Sequence, residues 1–415
     1  MIGRRGDRLQ RIFVTLTDAG PPAALWHAHP IFRRLETAVE SYRRALAATR
    51  RDRAPQEWAS TQNNLGNALR RLGERHTGTE QLEQAAAAYR DALTIYHRDR
   101  NPLDWAMTQN NLGAALWRLG ERDGGVNGLV EAVASFQAAL SGYRRERVPM
   151  DWAMTQSNLA ASLRSLGERL PGTDLLEQSV TAAREALREF VPARAPLERA
   201  TAQRHLANAL TSLGEREGGT PRLLEAVRTY REILQVHDRE RFPFDWGMAQ
   251  NNLGNALALL SDQEHDGTAR LNEAVVAYRL AIQGFRQDHT PLERARVMNN
   301  LGNALTMLGE REIETRRLLE AVATYREAMG GFDHTHHQFE RASAQNNLAT
   351  TLHRMSERDD AEVYADEAAA SYEAAAHSFE SMGADFHAAL CRFNYTSFAD
   401  IAAPVPELAH QPSLL

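Results

Sequence analysis

The stretch Thr61–Arg75 reads TQNNLGNALRRLGER, and close copies follow at Thr108–Arg122 and Thr155–Arg169. The step between copies is 47 residues, from 61 to 108 and from 108 to 155. A phrase kept at a fixed distance predicts tandem structural units. Two markers, an asparagine and an aromatic residue, carry the period along the chain. The first stands at Asn64, Asn111, Asn158, His205 (an exception), Asn252, Asn300, Asn347 and Asn394, and the second at Tyr42, Tyr89, Phe136, Ala183 (an exception), Tyr230, Tyr278, Tyr325 and Tyr372.

Each unit predicts two helices, and the first begins at a proline. In residues 55–72, Trp58, Leu65 and Leu69 fall on one face of a helix. Proline suits the first helical position because it lacks the N–H that would have no partner there. Thr290–Glu293 matches a capping box. Glycines that allow a left-handed cap are expected to end the helices at Gly73, Gly120, Gly167, Gly214 and Gly309.

The second helix of each unit is expected to begin after a Gly-Thr pair. Threonine is a good N-cap residue, and the pairs occupy residues 78–79, 172–173, 219–220 and 267–268. Small alanines such as Ala85 and Ala92 flank Tyr89 on the predicted buried stripe. This pattern predicts closely packed helices with an aromatic wedge between them.

These units resemble the tetratricopeptide repeat. Leu65, Gly66 and Leu69 match the core of its first helix, and Ala85, Tyr89 and Ala92 match its second. The usual period is 34 residues, and the longer unit resembles repeats of kinesin light chains and bacterial repeats beside caspase-like CHAT proteases. The resemblance implies an all-α, right-handed solenoid of about seven helix pairs with capping helices over residues 30–398. Residues 1–29 are then a non-repeat segment, and residues 399–415 a flexible tail.

Composition excludes several classes of function. The net charge is only -6, and acids alternate with bases, so no basic face for nucleic acid is expected. No apolar run is long enough to cross a membrane, and we expect a cytoplasmic protein without a membrane partner. Cys391 is the only cysteine, which excludes an internal disulfide.

No catalytic motif is visible in the sequence. A phosphate loop, HExxH, GxSxG and a dinucleotide fingerprint are all missing, and neither an enzyme nor a cofactor is predicted. Cys391 lies in a helical pattern and is interpreted as a structural thiol. The histidines of DHTHHQF, which are His334, His336 and His337, offer metal ligands beside Asp333. An exposed turn is the preferred interpretation of that segment.

A partner-binding groove is the main functional prediction. On a helical wheel Asn63, Asn67 and Arg70 share one side, and Leu65, Leu69 and Leu72 lie opposite. By the resemblance, first helices line the concave wall, where amides can hold an extended peptide backbone. The predicted groove residues are Asn63, Asn67, Arg70, Met107, Asn110, Asn111, Trp117, Met154, Arg164, Arg204, Asn208, Asn251, Asn255, Asn299, Asn303 and Asn346.

Some of these residues also have a structural interpretation. Asn64 and its counterparts either hold neighbouring helices together or contact the partner. Trp58, Trp105, Trp152 and Trp246 are expected to pack in the core, whereas Trp117 replaces a groove arginine and is expected to anchor a partner. The predicted function is a non-catalytic scaffold that binds a peptide or protein; its oligomeric state is left open. The alternative is a sensing or regulatory subunit of a separately encoded protease or of a defence or signalling effector.

Overall fold

The computed structural model describes residues 30–399, except 76–77, 265, 287–289, 313, 334 and 360–361. Within these ranges the regular structure is entirely α-helical. The expected non-repeat segment and all but the first residue of the expected tail lie outside them. The helices are α1 Pro30–Ala48, α2 Pro55–Gly73, α3 Glu80–Leu93, α4 Pro102–Asp123, α5 Val126–Gly142, α6 Pro149–Arg169, α7 Asp174–Glu189, α8 Pro196–Glu217, α9 Thr220–Val236, α10 Pro243–Gln263, α11 Thr268–Gly284, α12 Pro291–Arg311, α13 Arg316–Gly331, α14 Gln338–Asp359, α15 Glu362–Ser381 and α16 Asp385–Ala399.

The chain divides into two compact units at residue 237. In the first unit α2/α3, α4/α5, α6/α7 and α8/α9 are helix pairs, and α1 packs on α2. In the second unit α10/α11, α12/α13 and α14/α15 are pairs, and α16 packs on α15. Within each unit the second helix of a pair also packs on the first helix of the next pair. The predicted all-α fold of seven helix pairs with unpaired terminal helices is therefore confirmed.

The first helices begin where the sequence predicts. Proline is the first residue of α2, α4, α6, α8, α10 and α12, and each of these helices has an acid in its first turn. That acid lies at the positive end of the helix dipole, which it stabilises. Trp58, Trp105, Trp152 and Trp246 are half-buried. Arg51, Arg145 and Arg239 stack on the rings of Trp58, Trp152 and Trp246 respectively.

The predicted glycine caps are wrong. Gly73 is the last residue of α2, and its four counterparts lie inside their helices. A Cβ at Gly73 would lie 2.8 Å from Leu82 Cγ, and one at Gly214 would lie 2.6 Å from Leu223 Cγ. Glycine is required there because the second helix approaches so closely. The left-handed conformation belongs to other glycines, including Gly124 and Gly218, with φ of 68° and 65°.

Replacing Gly73 with alanine is expected to destabilise the protein by about 1–3 kcal/mol, because the added methyl group overpacks the contact with Leu82. Gly78, five residues further on, is the matched control, since a Cβ there meets nothing within 4 Å. Chemical denaturation of both variants measures the difference. Equal free energies of unfolding for the two variants would contradict the packing explanation.

The predicted threonine caps are also wrong in their chemistry. Thr79 and Thr173 directly precede α3 and α7, but neither side chain makes a capping hydrogen bond. Thr220 and Thr268 are already the first helical residues of α9 and α11. The predicted capping box at Thr290–Glu293 does not form, because the Thr290 hydroxyl donates to the Arg286 carbonyl instead.

The aromatic wedge is present, and glycine accommodates it. Tyr89 is fully buried between α2 and α3. A Cβ at Gly66 would lie 2.6 Å from Cε1 of that ring, so only glycine allows the contact. The pairs Gly254/Tyr278 and Gly302/Tyr325 repeat this geometry.

Candidate functional site

The two asparagines of the repeated phrase join neighbouring first helices. In the first unit Asn111 Nδ2 donates to Asn63 Oδ1 at 3.2 Å, and Asn158 Nδ2 donates to Asn110 Oδ1 at 3.1 Å. His205 continues the series through a 3.0 Å contact between its Nδ1 and the Ser157 carbonyl. We call these hydrogen bonds the asparagine ladder. Each one reaches from the second polar position of one repeat to the first of the preceding repeat.

The second unit has its own asparagine ladder. Its three hydrogen bonds are each 3.2 Å long, and they run from Asn300 Nδ2 to Asn251 Oδ1, from Asn347 Nδ2 to Asn299 Oδ1, and from Asn394 Nδ2 to Asn346 Oδ1.

The ladder changes the interpretation of several predicted groove residues. Asn63, Asn251, Asn299 and Asn346 are buried, so the prediction that they line an open wall is wrong. Only Asn110 of this series remains half-buried. Asn111 is half-buried as well, and its amide nitrogen is engaged in the ladder. The physical reason is that a buried amide needs a hydrogen-bond partner, and the neighbouring helix supplies one.

In four repeats a third asparagine accepts a hydrogen bond from the tyrosine of the aromatic wedge. The hydroxyls of Tyr89, Tyr230, Tyr278 and Tyr325 donate to the Oδ1 atoms of Asn67, Asn208, Asn255 and Asn303 over 2.6–2.8 Å. Burial raises the pKa of Tyr89 to about 12, so this hydroxyl keeps its proton at neutral pH and can donate. Asn303 is buried, and the other three amides are half-buried.

These asparagines occur only in repeats whose aromatic residue is a tyrosine. Where the aromatic position is Phe136, the asparagine position is Ala114; where it is Ala183, the asparagine position is Ala161. In the last pair Tyr372 donates to the Thr350 hydroxyl at 3.0 Å. An acceptor is therefore present in each described repeat that has the hydroxyl, which favours a structural role for Asn67 and its counterparts.

Trp117 is not an exposed anchor. Only 6% of it is exposed, and its Nε1 donates to Ser165 Oγ of the next first helix at 3.1 Å. The Arg118 guanidinium covers the ring at 4.3 Å from its centroid. The prediction of an open groove position for Trp117 is wrong, because α6 packs against the ring.

The predicted groove arginines are engaged in local contacts. Arg70 forms an ion pair with Glu74, and Arg164 forms one with Glu168. Burial opposes the charge on Arg70, but Glu74 and Tyr89 outweigh burial and raise its pKa. Arg164 is buried. Arg204 is half-buried and lies beside His205, with 3.5 Å between Nη2 and Nε2.

Exposed apolar side chains form the part of the predicted surface that remains open. Met107 and Met154 were predicted for the groove, and both are exposed on α4 and α6. Three further apolar side chains, Leu103, Met150 and Leu197, are also exposed. Each lies four residues before Met107 or before the residue that corresponds to Met107 in its repeat. Sequence reasoning missed these three. Their signal is an apolar residue at the second helical position, recurring at steps of 47 residues. We call these five residues the apolar patch; they are 39–52% exposed.

Cys391 and Asp333, which the sequence offered as candidate functional groups, both have structural surroundings that explain them. Cys391 is buried among Ala375, Phe379 and Ala388, and burial raises its pKa to about 12. It is therefore a neutral thiol at physiological pH, not a reactive thiolate. Asp333 Oδ1 accepts hydrogen bonds from the backbone N–H groups of Thr335 and His336 and thus closes a turn.

The described part of the chain contains no cluster of three or more His, Cys, Asp or Glu side chains arranged to hold a metal ion. His334 lies outside the described residues. None of the described helices combines the length and apolar character needed to span a membrane.

Comparison with a sequence model of a protein family supports the repeat assignment. The sequence model of the tetratricopeptide repeat matches residues 58–98, 199–240, 294–337 and 341–376. A search among curated proteins finds no match. A solved Rap protein, complexed with competence and sporulation factor, is 11% identical, with a TM-score of 0.44 and coverage of 88% of this chain and 97% of the other. A circular tandem repeat protein with novel repeat topology is 15% identical, with a TM-score of 0.30 and coverage of 87% and 92%. The four sequence matches confirm the predicted resemblance: this chain contains tetratricopeptide repeats at those positions.

Proposed function

We propose that the protein is a non-catalytic scaffold that binds a peptide or a partner protein across the first helices of residues 30–236. Tetratricopeptide repeats are typically interaction modules without catalytic activity, and stacked repeats create extended binding surfaces. The fold alone does not select a function. The observation that carries the proposal is therefore the apolar patch on three neighbouring first helices.

The apolar patch differs from the rest of the predicted groove. Asn63 and Trp117 form hydrogen bonds with neighbouring first helices, Arg164 pairs with Glu168 of its own helix, and all three are buried. Met107 and Met154 instead present flexible thioether side chains to solvent. Contiguous exposed apolar surface is characteristic of interaction sites, and methionine adapts readily to a partner. Asn110 and Arg204, both half-buried, are the polar members of the predicted groove that adjoin this surface along α4 and α8.

A selection from a displayed library of random 16-residue peptides tests the proposal with the full chain as bait. We expect peptides to be enriched and then to lose binding to the double variant Met107→Asp/Met154→Asp, because two carboxylates make the apolar surface costly to bury. Fluorescence anisotropy with the labelled synthetic peptides should show a loss of about tenfold or more in affinity.

The matched control is Leu224→Asp, which alters an exposed apolar side chain of α9 in the same unit. This variant should bind the enriched peptides as the wild-type protein does. Thermal denaturation should give nearly equal melting temperatures for all three proteins, because the altered positions are exposed. The proposal fails if no peptide is enriched, or if the methionine variant binds as tightly as the control.

A further inference from the structure

A row of exposed arginines adjoins the apolar patch. Arg100, Arg147 and Arg194 each lie two residues before the proline that begins α4, α6 or α8. All three are exposed. Within the described ranges none of their side chains makes a hydrogen bond or ion pair. Their charges are therefore available to a partner.

The loops that carry this arginine row have an excess of positive charge. Arginines outnumber acids in each of the three segments 97–101, 144–148 and 191–195. Two other arginines of these segments are already engaged: Arg145 pairs with Glu185 and Glu189 of α7, and Arg98 donates to the Ser141 carbonyl. The acids Asp104, Asp151 and Glu198 occupy the first turns of the following helices. The positive helix ends there offset part of their charge.

The apolar patch has the dimensions of one helix stripe. Leu103 and Met107 are four residues apart on α4, as are Met150 and Met154 on α6, so each pair spans about 6 Å along its helix. The helices α4, α6 and α8 contact one another in that order, and packed helices lie about 8–10 Å apart. The patch is thus roughly 20 Å long, the length of about 13 residues of α-helix.

The patch is confined to these three helices. On α2 the equivalent positions are Gln56 and Ser60, which are polar. On α10 they are Phe244, which packs edge-on against Phe285 at 5.6 Å, and Met248, which is buried. Exposure of apolar side chains at both positions is therefore a property of α4 and α6, which α8 continues with Leu197.

We propose that the apolar patch and the arginine row together bind an amphipathic helix of a partner protein whose polar flank is acidic. This inference rests on the proposed function and specifies the chemistry of the partner. The apolar stripe of the helix covers the five patch residues, and its carboxylates face Arg100, Arg147 and Arg194. Charges at the rim of such a contact set the association rate and its dependence on salt, whereas the apolar side chains supply most of the affinity.

The peptides enriched from the random library provide the test. We expect Asp and Glu to exceed their frequency in the unselected library, and apolar residues to recur at three- and four-residue spacing. Labelled synthetic peptides should bind Arg147→Gln/Arg194→Gln about tenfold more weakly than they bind the wild-type chain. Raising the salt concentration should slow their association with the wild-type chain and have a smaller effect with this variant.

Two matched controls separate charge from general damage. Arg228→Gln removes an exposed arginine from α9 of the same unit and should leave binding unchanged. A peptide in which Asn and Gln replace Asp and Glu should bind the wild type and Arg147→Gln/Arg194→Gln equally.

The inference is overturned if the enriched peptides contain no excess of acids, or if loss of Arg147 and Arg194 leaves their affinity unchanged. Either result is distinct from failure of the proposed function. That function fails when no peptide is enriched or when binding is insensitive to Met107→Asp/Met154→Asp.

Discussion

Replacing Tyr325 with alanine is expected to lower the free energy of unfolding by about 3–5 kcal/mol, the usual cost of removing a buried aromatic side chain. The ring is fully buried between α12 and α13, and its hydroxyl donates to Asn303 Oδ1 at 2.6 Å. The substitution leaves both a cavity and a buried amide without that donor. Chemical denaturation followed by circular dichroism measures the loss.

The chain itself supplies the control for this substitution. At the corresponding positions of α6 and α7 it has Ala160, Ala161 and Ala183, all buried. The triple variant Gly302→Ala/Asn303→Ala/Tyr325→Ala copies that arrangement. The methyl group added at position 302 fills part of the cavity, and the amide that lost the tyrosine donor is removed. It should recover at least about 1 kcal/mol relative to Tyr325→Ala. A triple variant less stable than the single variant would show that the three positions are not coupled.

Replacing Asn300 with leucine is expected to break the asparagine ladder of the second unit. Asn300 Nδ2 donates to Asn251 Oδ1 at 3.2 Å and to Asn255 Oδ1 at 3.3 Å. Leucine has a similar volume but no donor, so the fully buried Asn251 loses a partner. The expected cost is about 1–3 kcal/mol for each buried group left unpaired, measured as a shift of the denaturation midpoint.

Asn64→Leu is the matched control for this experiment. Asn64 occupies the same position in the phrase, but it lies on α2, which has no earlier first helix before it in the described part of the chain. Its side chain is half-buried. Within the described residues its amide donates to no earlier asparagine. Asn64→Leu should therefore change the free energy of unfolding by no more than about 0.5 kcal/mol. If both variants lost the same free energy of unfolding, the cost would arise within the helix and not from the hydrogen bond between repeats.

Local signals in the sequence predict the helices well. A proline such as Pro55 at the start of a helix and the apolar spacing after it act within one helix, so they can be read without knowledge of the neighbours. The role of Gly73 could not be predicted in this way. Glycine is required at this position because Leu82 of the following helix lies so close to it. The local sequence pattern fits a left-handed cap equally well.

The candidate site was predicted less well for the same reason. A helical wheel places Asn63 opposite Leu65, but it contains no neighbouring helix that could cover the amide. The partner of Asn63 is Asn111, which lies 48 residues later. That step is one residue longer than the 47-residue repeat, so comparing equivalent positions does not reveal the pair. Met107 and Met154 are exposed, as their position on the helical wheel predicts, and their contact with a partner stays a prediction.

The asparagine ladder has a consequence for how such a gene can change in length. Every ladder hydrogen bond joins one repeat to the repeat before it, and the phrase supplies both the donor and the acceptor. A duplicated copy of one complete repeat therefore arrives with a donor for its predecessor and an acceptor for its successor. An insertion or deletion inside a first helix displaces one asparagine from its partner and leaves buried amides unsatisfied. A change of length outside the first helices is tolerated: the step from Asn252 to Asn300 is 48 residues, and Asn300 still donates to Asn251. Unequal recombination between copies can thus add or remove entire repeats without new compensating mutations, whereas the position of the asparagines within each first helix stays under strong constraint.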